Sequence, residues 1–157
     1  MIRPATAADL PRLIEISLAS FGPITWQRAI DEKFGPLHGH DWQDRWRRRV
    51  EKAFHAQDFL VLEEDGRLLG YACGVVDPAI ALGHLDILCI DPAAQGRGFG
   101  RLLLRAIQQH FASRGATHVT LESLTDNDTA NALYRAEGFE ILANHCNWFK
   151  KIDLSSL

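Results

Sequence analysis

Residues 95–107 decide the fold, and they read QGRGFGRLLLRAI. Glycines alternate with other residues at the start, and the apolar run that follows predicts a helix. Glycine weakens a helix or strand interior by about 0.5–1 kcal/mol relative to alanine. Three glycines so close together therefore indicate that the backbone of this segment serves a purpose that outweighs this cost. The preceding segment, GHLDILCIDP at residues 83–92, predicts a strand that ends at a proline.

A strand, a glycine-rich turn and a helix N-terminus form an anion site, because free backbone N–H groups gather at the positive end of the helix dipole. Gly96, Gly98 and Gly100 would let a phosphate approach the backbone, and Arg97 and Arg101 would add positive charge. A Walker A loop is excluded because no Gly-Lys-Ser/Thr follows, and Arg101 replaces the last glycine of the dinucleotide fingerprint. On this segment alone, a glycine-rich turn without a ligand stays an alternative.

The bulk composition predicts one soluble domain over residues 1–157. The chain has 46% hydrophobic and 24% charged residues, and 157 residues can bury a substantial core. A net charge of −3 gives no attraction to nucleic acid or to anionic membranes, so neither is an expected partner. The first residues lack the apolar run of a signal peptide, and no segment reaches membrane-spanning length, which predicts a cytoplasmic location.

The cysteine and histidine patterns do not predict a metal site. The chain has three cysteines, an odd number, and they form no C-x-x-C pair: Cys73, Cys89 and Cys146. Each lies among apolar residues, so the sequence predicts buried thiols rather than disulfides or zinc ligands. The HGHD motif at residues 38–41 has no further ligands nearby in sequence. The RWRRR run at residues 45–49 predicts a solvated helix face rather than a phosphate-rich partner.

The remaining patterns predict an α/β protein of the α+β type, with helices flanking a mixed, mainly antiparallel sheet. The Asp65-Gly66 pair between two apolar runs is a strong hairpin signal. The full set of expected elements is a first strand near residue 2, helices over 6–22 and 41–57 separated by an irregular segment, the hairpin over 58–76, a strand over 83–92, a helix to about 113, a strand over 117–124, a helix over 127–138 and a closing strand pair over 139–154. The inner face of the helix after the glycines should contain Phe99, Leu102, Leu103, Ala106, Ile107, His110 and Phe111.

Two blocks of sequence resemble the GNAT acyltransferases. Residues 95–100 match the Q/R-x-x-G-x-G/A motif of that family, after a strand that ends in Asp-Pro as is usual there. Residues 127–139, NDTANALYRAEGF, resemble its N-x-x-A-x-x-L-Y-x-x-x-G-F segment. The opening residues 2–13 are also similar to the usual GNAT N-terminus, and the order and spacing of the blocks agree over nearly the whole chain.

The resemblance implies a GNAT fold with acetyl-CoA as co-substrate and no metal. The CoA pyrophosphate would lie on the amides of Gln95, Gly96, Arg97, Gly98, Phe99 and Gly100, beside Arg101. The pantetheine arm would pair with the strand around Leu88, Cys89 and Ile90, where the family's sheet is splayed. A backbone N–H there would polarise the thioester carbonyl. Asn127 and Ala130 would lie beside the pantetheine.

The same resemblance assigns the catalytic acid and leaves the base open. Tyr134 matches the family tyrosine that protonates the CoA sulfur, and an ordinary phenol with a pKa near ~10 is protonated at neutral pH. Many family members carry a glutamate where this chain has the shorter Asp86. Period-two alternation places His84, Asp86 and Leu88 on one face, so the base is Asp86, His84 or a water. Asp86 could instead bind the ammonium group of the acceptor.

The implied enzyme is an N-acetyltransferase in which a primary amine attacks acetyl-CoA directly within a ternary complex. The acceptor is a small molecule or a peptide, and family members often pair, which makes a homodimer an expectation. A covalent route through Cys89 ranks low because the sequence places no His–Asp partners next to it. A GNAT-like module that senses acyl-CoA without turnover, and a protein that binds ATP or NAD, are the alternatives.

We expect isothermal titration to show saturable, micromolar-range binding of acetyl-CoA, because the glycine segment offers amides to a pyrophosphate. ATP and NAD should not bind, and dephospho-CoA serves as a further control. If acetyl-CoA does not bind, the enzyme hypothesis fails and the glycines form a structural turn or another anion's site.

Overall fold

The computed structural model describes residues 1–156, and its centre is a five-stranded sheet. The strands, which lie side by side in chain order, are β1 (Ile2–Pro4), β2 (Asp58–Glu64), β3 (Arg67–Asp77), β4 (Leu82–Ile90) and β5 (His118–Leu121). The first four strands pair in an antiparallel manner, and β5 is parallel to β4. This sheet confirms the predicted fold class.

Helices cover both faces of the sheet. They are α1 (Leu10–Phe21), α2 (Gln27–Phe34), α3 (Trp42–Ala56), α4 (Phe99–Ser113) and α5 (Asp128–Ala136), with short helical turns at Ala7–Asp9, Pro92–Ala94 and Leu154–Ser156. Side chains of α1 and α3 form one hydrophobic cluster with the sheet, and α4 forms a second cluster on the other face. The apolar side chains of α3 are buried or partly buried in the first cluster: Trp42, Trp46, Val50, Ala53 and Phe54.

The β2–β3 hairpin turns at Asp65 and Gly66, as the sequence predicts. Both residues have positive φ angles, of 50° and 72°. This is the combination that a two-residue turn between twisted strands requires, and glycine adopts it without steric cost.

A β-bulge at Asp86 interrupts the alternation of β4. Cys73 of β3 is paired with Ile87, whereas the next β3 residue, Gly74, is paired with Leu85, so Asp86 has no opposing residue. An extra residue in one strand moves the residues on its two sides onto different faces from those that simple alternation gives.

The prediction that His84, Asp86 and Leu88 share one face is therefore wrong. Leu88 packs in the cluster with α4, whereas the Asp86 carboxylate accepts hydrogen bonds from Arg49 and Gln57, at the C-terminal half and end of α3. The bulge separates two side chains that an uninterrupted strand would have kept together.

The outer edge of β4 is paired only in part. The ladder to β5 runs from the Leu82–His118 pair to the Leu85–Leu121 pair, and residues 86–90 have no partner strand on that side within residues 1–156. The Asp91 N–H donates to Leu69 O of β3 at 2.7 Å. Because backbone direction alternates along a strand, the N–H and C=O groups of Leu88 and Ile90 point away from β3, into the gap.

Three expectations about secondary structure need correction. The segment between the first two predicted helices contains α2, which fits between Pro23 and Gly35. On α4, the buried residue is Leu104 rather than Leu102, which is 51% exposed, because the buried stripe runs through residues 103, 104, 107 and 111. Cys146 is exposed, while the other two thiols are buried.

The predicted strand pair over residues 139–154 is absent: residues 139–153 carry neither helix nor strand. Strands need a neighbouring edge, and β5 offers one of only four residues. The segment instead runs towards α2, where the Phe149 and Phe34 ring centroids lie 5.0 Å apart. His145 lies 3.8 Å from Glu122 on the way.

Candidate functional site

The glycine turn presents unpaired backbone N–H groups. Gly96 and Gly98 have φ angles of 78° and 81°, and Gly98 is the N-cap of α4. Within residues 1–156, no protein acceptor bonds to the N–H groups of residues 96–101. The Gln95 side chain fixes the turn to β4 by donating from Nε2 to Ile90 O at 3.1 Å. The predicted anion site therefore has both its free donors and the positive end of a helix dipole.

Gly100 differs from the other two glycines. It lies inside the first turn of α4 without a positive φ, and a Cβ built there would stand 3.4 Å from Leu133 Cδ2 of α5. Its small size brings the start of α4 close to α5, which carries the predicted acid.

The two arginines of the turn are paired with carboxylates. Arg97 Nη2 lies 2.9 Å from Glu64 Oε1, and its guanidinium stacks 4.4 Å from the Phe99 ring centroid. Arg101 Nε lies 2.8 Å from Glu137 Oε1. The Arg97–Glu64 pair is exposed on both sides, and such ion pairs are weak and exchange readily with solvent and ligands. Glu137, the partner of Arg101, is nearly buried and also pairs with Arg105. The amides are therefore the fixed part of the predicted anion site, and Arg97 is its adjustable part.

A cavity of about 400 Å³ lies along the gap in the sheet and joins most of the remaining predicted residues. Those on its walls are His84, Asp86, Leu88, Asn127, Ala130 and Tyr134. Cys89 and Ile90 do not line it: the Cys89 side chain is buried in the cluster with α1 and α3. Burial raises the pKa of the Cys89 thiol to about 12, so the thiolate that a covalent route needs is scarce at neutral pH.

Asn127 and Tyr134, at opposite ends of α5, have different roles. Asn127 caps the helix, and its side-chain oxygen accepts a hydrogen bond from the Ala130 N–H at 3.4 Å. The Tyr134 ring packs edge-on against Phe139, with centroids 5.8 Å apart. Burial raises the pKa of the Tyr134 phenol above its usual value. In the described part of the chain its hydroxyl has no hydrogen-bond partner, so it stays protonated and available to a ligand.

Asp86 is held by two side chains at the α3 side of the cavity. Arg49 Nη2 donates to Oδ1 at 2.6 Å and Gln57 Nε2 donates to Oδ2 at 2.9 Å. Among residues 1–156, no hydrogen bond joins Asp86 to His84. Because both carboxylate oxygens are already engaged, this geometry favours a positioning role for Asp86 over proton abstraction.

Two cavity residues were missed by the sequence analysis. Arg49 was assigned to a solvated face, and Glu122, which follows β5, had no motif to mark it. The Glu122 side chain is 72% exposed and lies 3.8 Å from His145 Nε2. Arg49 reaches the site through a contact between residues 37 positions apart, for which a single sequence carries no signal.

Residues 1–156 contain no group of three or more His, Cys, Asp or Glu residues that could hold a metal ion, and His40 of the HGHD motif pairs with Asp44. None of the helices in the same range is long and apolar enough to cross a membrane.

Comparison with known proteins assigns the family to which this fold and cavity belong. The acetyltransferase (GNAT) family model matches residues 25–139, so the chain belongs to the GNAT family, as the sequence motifs predict.

Curated relatives are acetyltransferases. The chain is 32% identical over 150 residues to mycothiol acetyltransferase of Streptomyces coelicolor, covering 87% of this chain and 48% of that protein. It is also 32% identical over 151 residues to the peptidyl-lysine N-acetyltransferase YiaC of Escherichia coli, covering 94% of this chain and 87% of that protein. The chain thus spans about half the length of the mycothiol acetyltransferases it matches.

Solved structures confirm the fold. PaiA N-acetyltransferase from Thermoplasma acidophilum, crystallised with coenzyme A, aligns with a TM-score of 0.70 at 19% identity over 92% of each chain. The ribosomal-protein-S18-alanine N-acetyltransferase of E. coli aligns with a TM-score of 0.66 at 22% identity, over 89% of this chain and 77% of that chain.

We expect both tyrosines to ionise later than free tyrosine, because burial raises the pKa of Tyr71 and of Tyr134. Two ordinary phenols would give a total of about one phenolate per chain at about pH 10. Spectrophotometric titration of the folded protein should therefore show fewer phenolates per chain at this pH. In denaturant, where both side chains are exposed, the number of phenolates should rise to the ordinary value. A folded protein that reaches the ordinary value would contradict the burial of these hydroxyls.

Proposed function

We propose that residues 1–157 form one N-acetyltransferase domain that transfers the acetyl group of acetyl-CoA to a primary amine in a ternary complex. The observation that carries this proposal is the run of unpaired N–H groups at residues 96–101, which adjoins the open edge of β4 and the cavity that contains Tyr134.

The donor subsite follows from these backbone groups. The amides of residues 96–101 suit the CoA pyrophosphate, since they combine several donors with the helix dipole. The outward N–H and C=O groups of Leu88 and the outward N–H of Ile90 suit the amide-bearing pantetheine arm, which can pair with them as a strand would. The Leu88 N–H is then placed to stabilise the oxyanion that forms on the thioester carbonyl.

The reaction needs one proton donor and one proton acceptor. The amine nitrogen attacks the thioester carbon, the C–S bond breaks, and the departing sulfur takes a proton from the Tyr134 hydroxyl. The raised pKa of Tyr134 keeps that proton in place until the sulfur develops charge.

For the base we propose His84 or Glu122, acting directly or through a water. Both line the cavity, and an imidazole or a carboxylate can accept a proton at neutral pH. Asp86 stays an alternative from the sequence, but its two oxygens are already engaged by Arg49 and Gln57.

Acyl-CoA sensing without turnover is the second candidate function. The observation in its favour is that an amide-lined turn and an open strand edge bind a donor with or without chemistry. Against it, a sensor has no need of a protonated phenol in the cavity. A cytoplasmic location and a homodimer stay predictions of the sequence.

Replacing Tyr134 with phenylalanine should lower kcat by about 100-fold while acetyl-CoA affinity is kept, because the acid is lost and the ring packing against Phe139 is retained. Steady-state kinetics with an amine panel and titration with acetyl-CoA measure the two effects. Unchanged turnover would exclude Tyr134 as the acid, and an inactive wild-type protein with normal acetyl-CoA binding would favour the sensor.

Changing the base should alter the pH dependence. One of the variants His84→Gln and Glu122→Gln should remove the base, and we expect that variant to have a lower kcat/KM near neutral pH. Its kcat/KM should recover at high pH, where the free amine loses its proton unaided. Asp86→Asn should raise KM with an unchanged pH profile. If Asp86→Asn alone shows the alkaline recovery, Asp86 is the base.

A further inference from the structure

We infer that Arg49 binds a carboxylate of the acceptor, so that the preferred substrate is an amine that carries a carboxylate close to its amino group. This inference rests on the proposed acetyltransferase function and names the acceptor class for the same cavity.

The Arg49 guanidinium is oriented by two contacts and has N–H donors to spare. It lies on α3, stacks 4.8 Å from the Trp46 ring centroid, and donates from Nη2 to Asp86. Within the described residues this is its single hydrogen bond, so Nε and Nη1 have no protein acceptor. The Arg49 side chain is 45% exposed and lines the cavity. A guanidinium with a free fork of N–H groups matches the geometry of a carboxylate.

The partner of Arg49 is much less accessible than Arg49 itself. The Asp86 side chain is 16% exposed, and its second oxygen is bound by Gln57. An ion pair that served only to join α3 to β4 would not need its arginine open to the cavity. Asp86 and Trp46 instead favour one orientation of the guanidinium, which reduces the entropy that binding an anion would cost.

The charges around the cavity also select such an acceptor. Arg49 is the one lysine or arginine among the cavity residues that the structure describes, and the carboxylate without a guanidinium partner is Glu122. Arg49 lies on α3 and Glu122 follows β5, so the two charges come from different walls. An acceptor with one ammonium and one carboxylate complements both, whereas a polyamine would bring a second cation towards Arg49.

The carboxylate can belong to a free amino acid or to an acidic peptide, and matched acceptors distinguish the two sources. One arm compares an amino acid with its carboxamide. The other compares the tripeptide amides Ala-Glu-Ala and Ala-Gln-Ala. In each pair one carboxylate is the difference, and thiol release from acetyl-CoA gives kcat/KM. We expect the carboxylate-bearing member of at least one pair to be preferred by about 10- to 100-fold, the range of a charge-assisted hydrogen-bonded pair.

Variants of α3 then assign the preference to Arg49. Arg49→Gln should remove the preference by raising KM for the carboxylate-bearing acceptor, and Arg49→Lys, which keeps the charge without the fork, should retain part of it. Arg48→Gln is the matched control, because Arg48 is a neighbouring arginine that pairs with Asp44 and does not line the cavity. Thermal unfolding and acetyl-CoA titration check that each variant is folded.

Equal rates within both pairs, or an unchanged preference in Arg49→Gln, would overturn the inference. Turnover of carboxylate-free amines in the same assay would leave the acetyltransferase function standing. If neither member of any pair reacts, binding of the acidic acceptors to the CoA complex decides: no binding, or binding that Arg49→Gln leaves unchanged, also overturns the inference.

Discussion

Strands β4 and β5 share four residue pairs and then part, and the site depends on this parting. Backbone polar groups rarely stay unpaired in a sheet, because each unmet donor or acceptor costs free energy. Here the groups of Leu88 and Ile90 turn into the gap, and among residues 1–156 only Ile90 O has a protein partner, the Gln95 side-chain amide. The same gap ends at the turn that begins α4. In the proposed function, one interruption of the ladder therefore supplies both a strand edge and a helix N-terminus to one ligand.

The bulge at Asp86 gives β4 two different functional sides. Before and at the bulge, His84 and Asp86 line the cavity, and Asp86 is bound there by Arg49 of α3. Beyond it, Leu88 packs towards α4, at whose start the glycine turn lies. In the proposed reaction the first side faces the acceptor and the second faces the donor. A single extra residue thus lets one strand bind both substrates without mixing their binding groups.

The sequence predicted what local patterns control and missed what distant contacts control. The Asp65-Gly66 hairpin and the strand–turn–helix around residues 95–107 were correct, because glycine φ angles and hydrophobic periodicity act over a few residues. The alternation of residues 139–154 suggested strands, yet a strand also needs an edge supplied from elsewhere in the chain. The place of Arg49 was missed for the same reason. Its partner, Asp86, lies on β4, and the periodicity of the α3 sequence places Arg49 only on a polar helix face.

The exposed thiol of the protein, Cys146, lies beside the cavity. Burial raises the pKa of Cys73 and Cys89, so neither forms a reactive thiolate near neutral pH. Cys146 is exposed, and the residues on both sides of it, His145 and Asn147, line the cavity. A maleimide dye would therefore attach at a single position beside the acceptor site of the unaltered chain. Its fluorescence would report the entry and departure of ligands without any engineered cysteine.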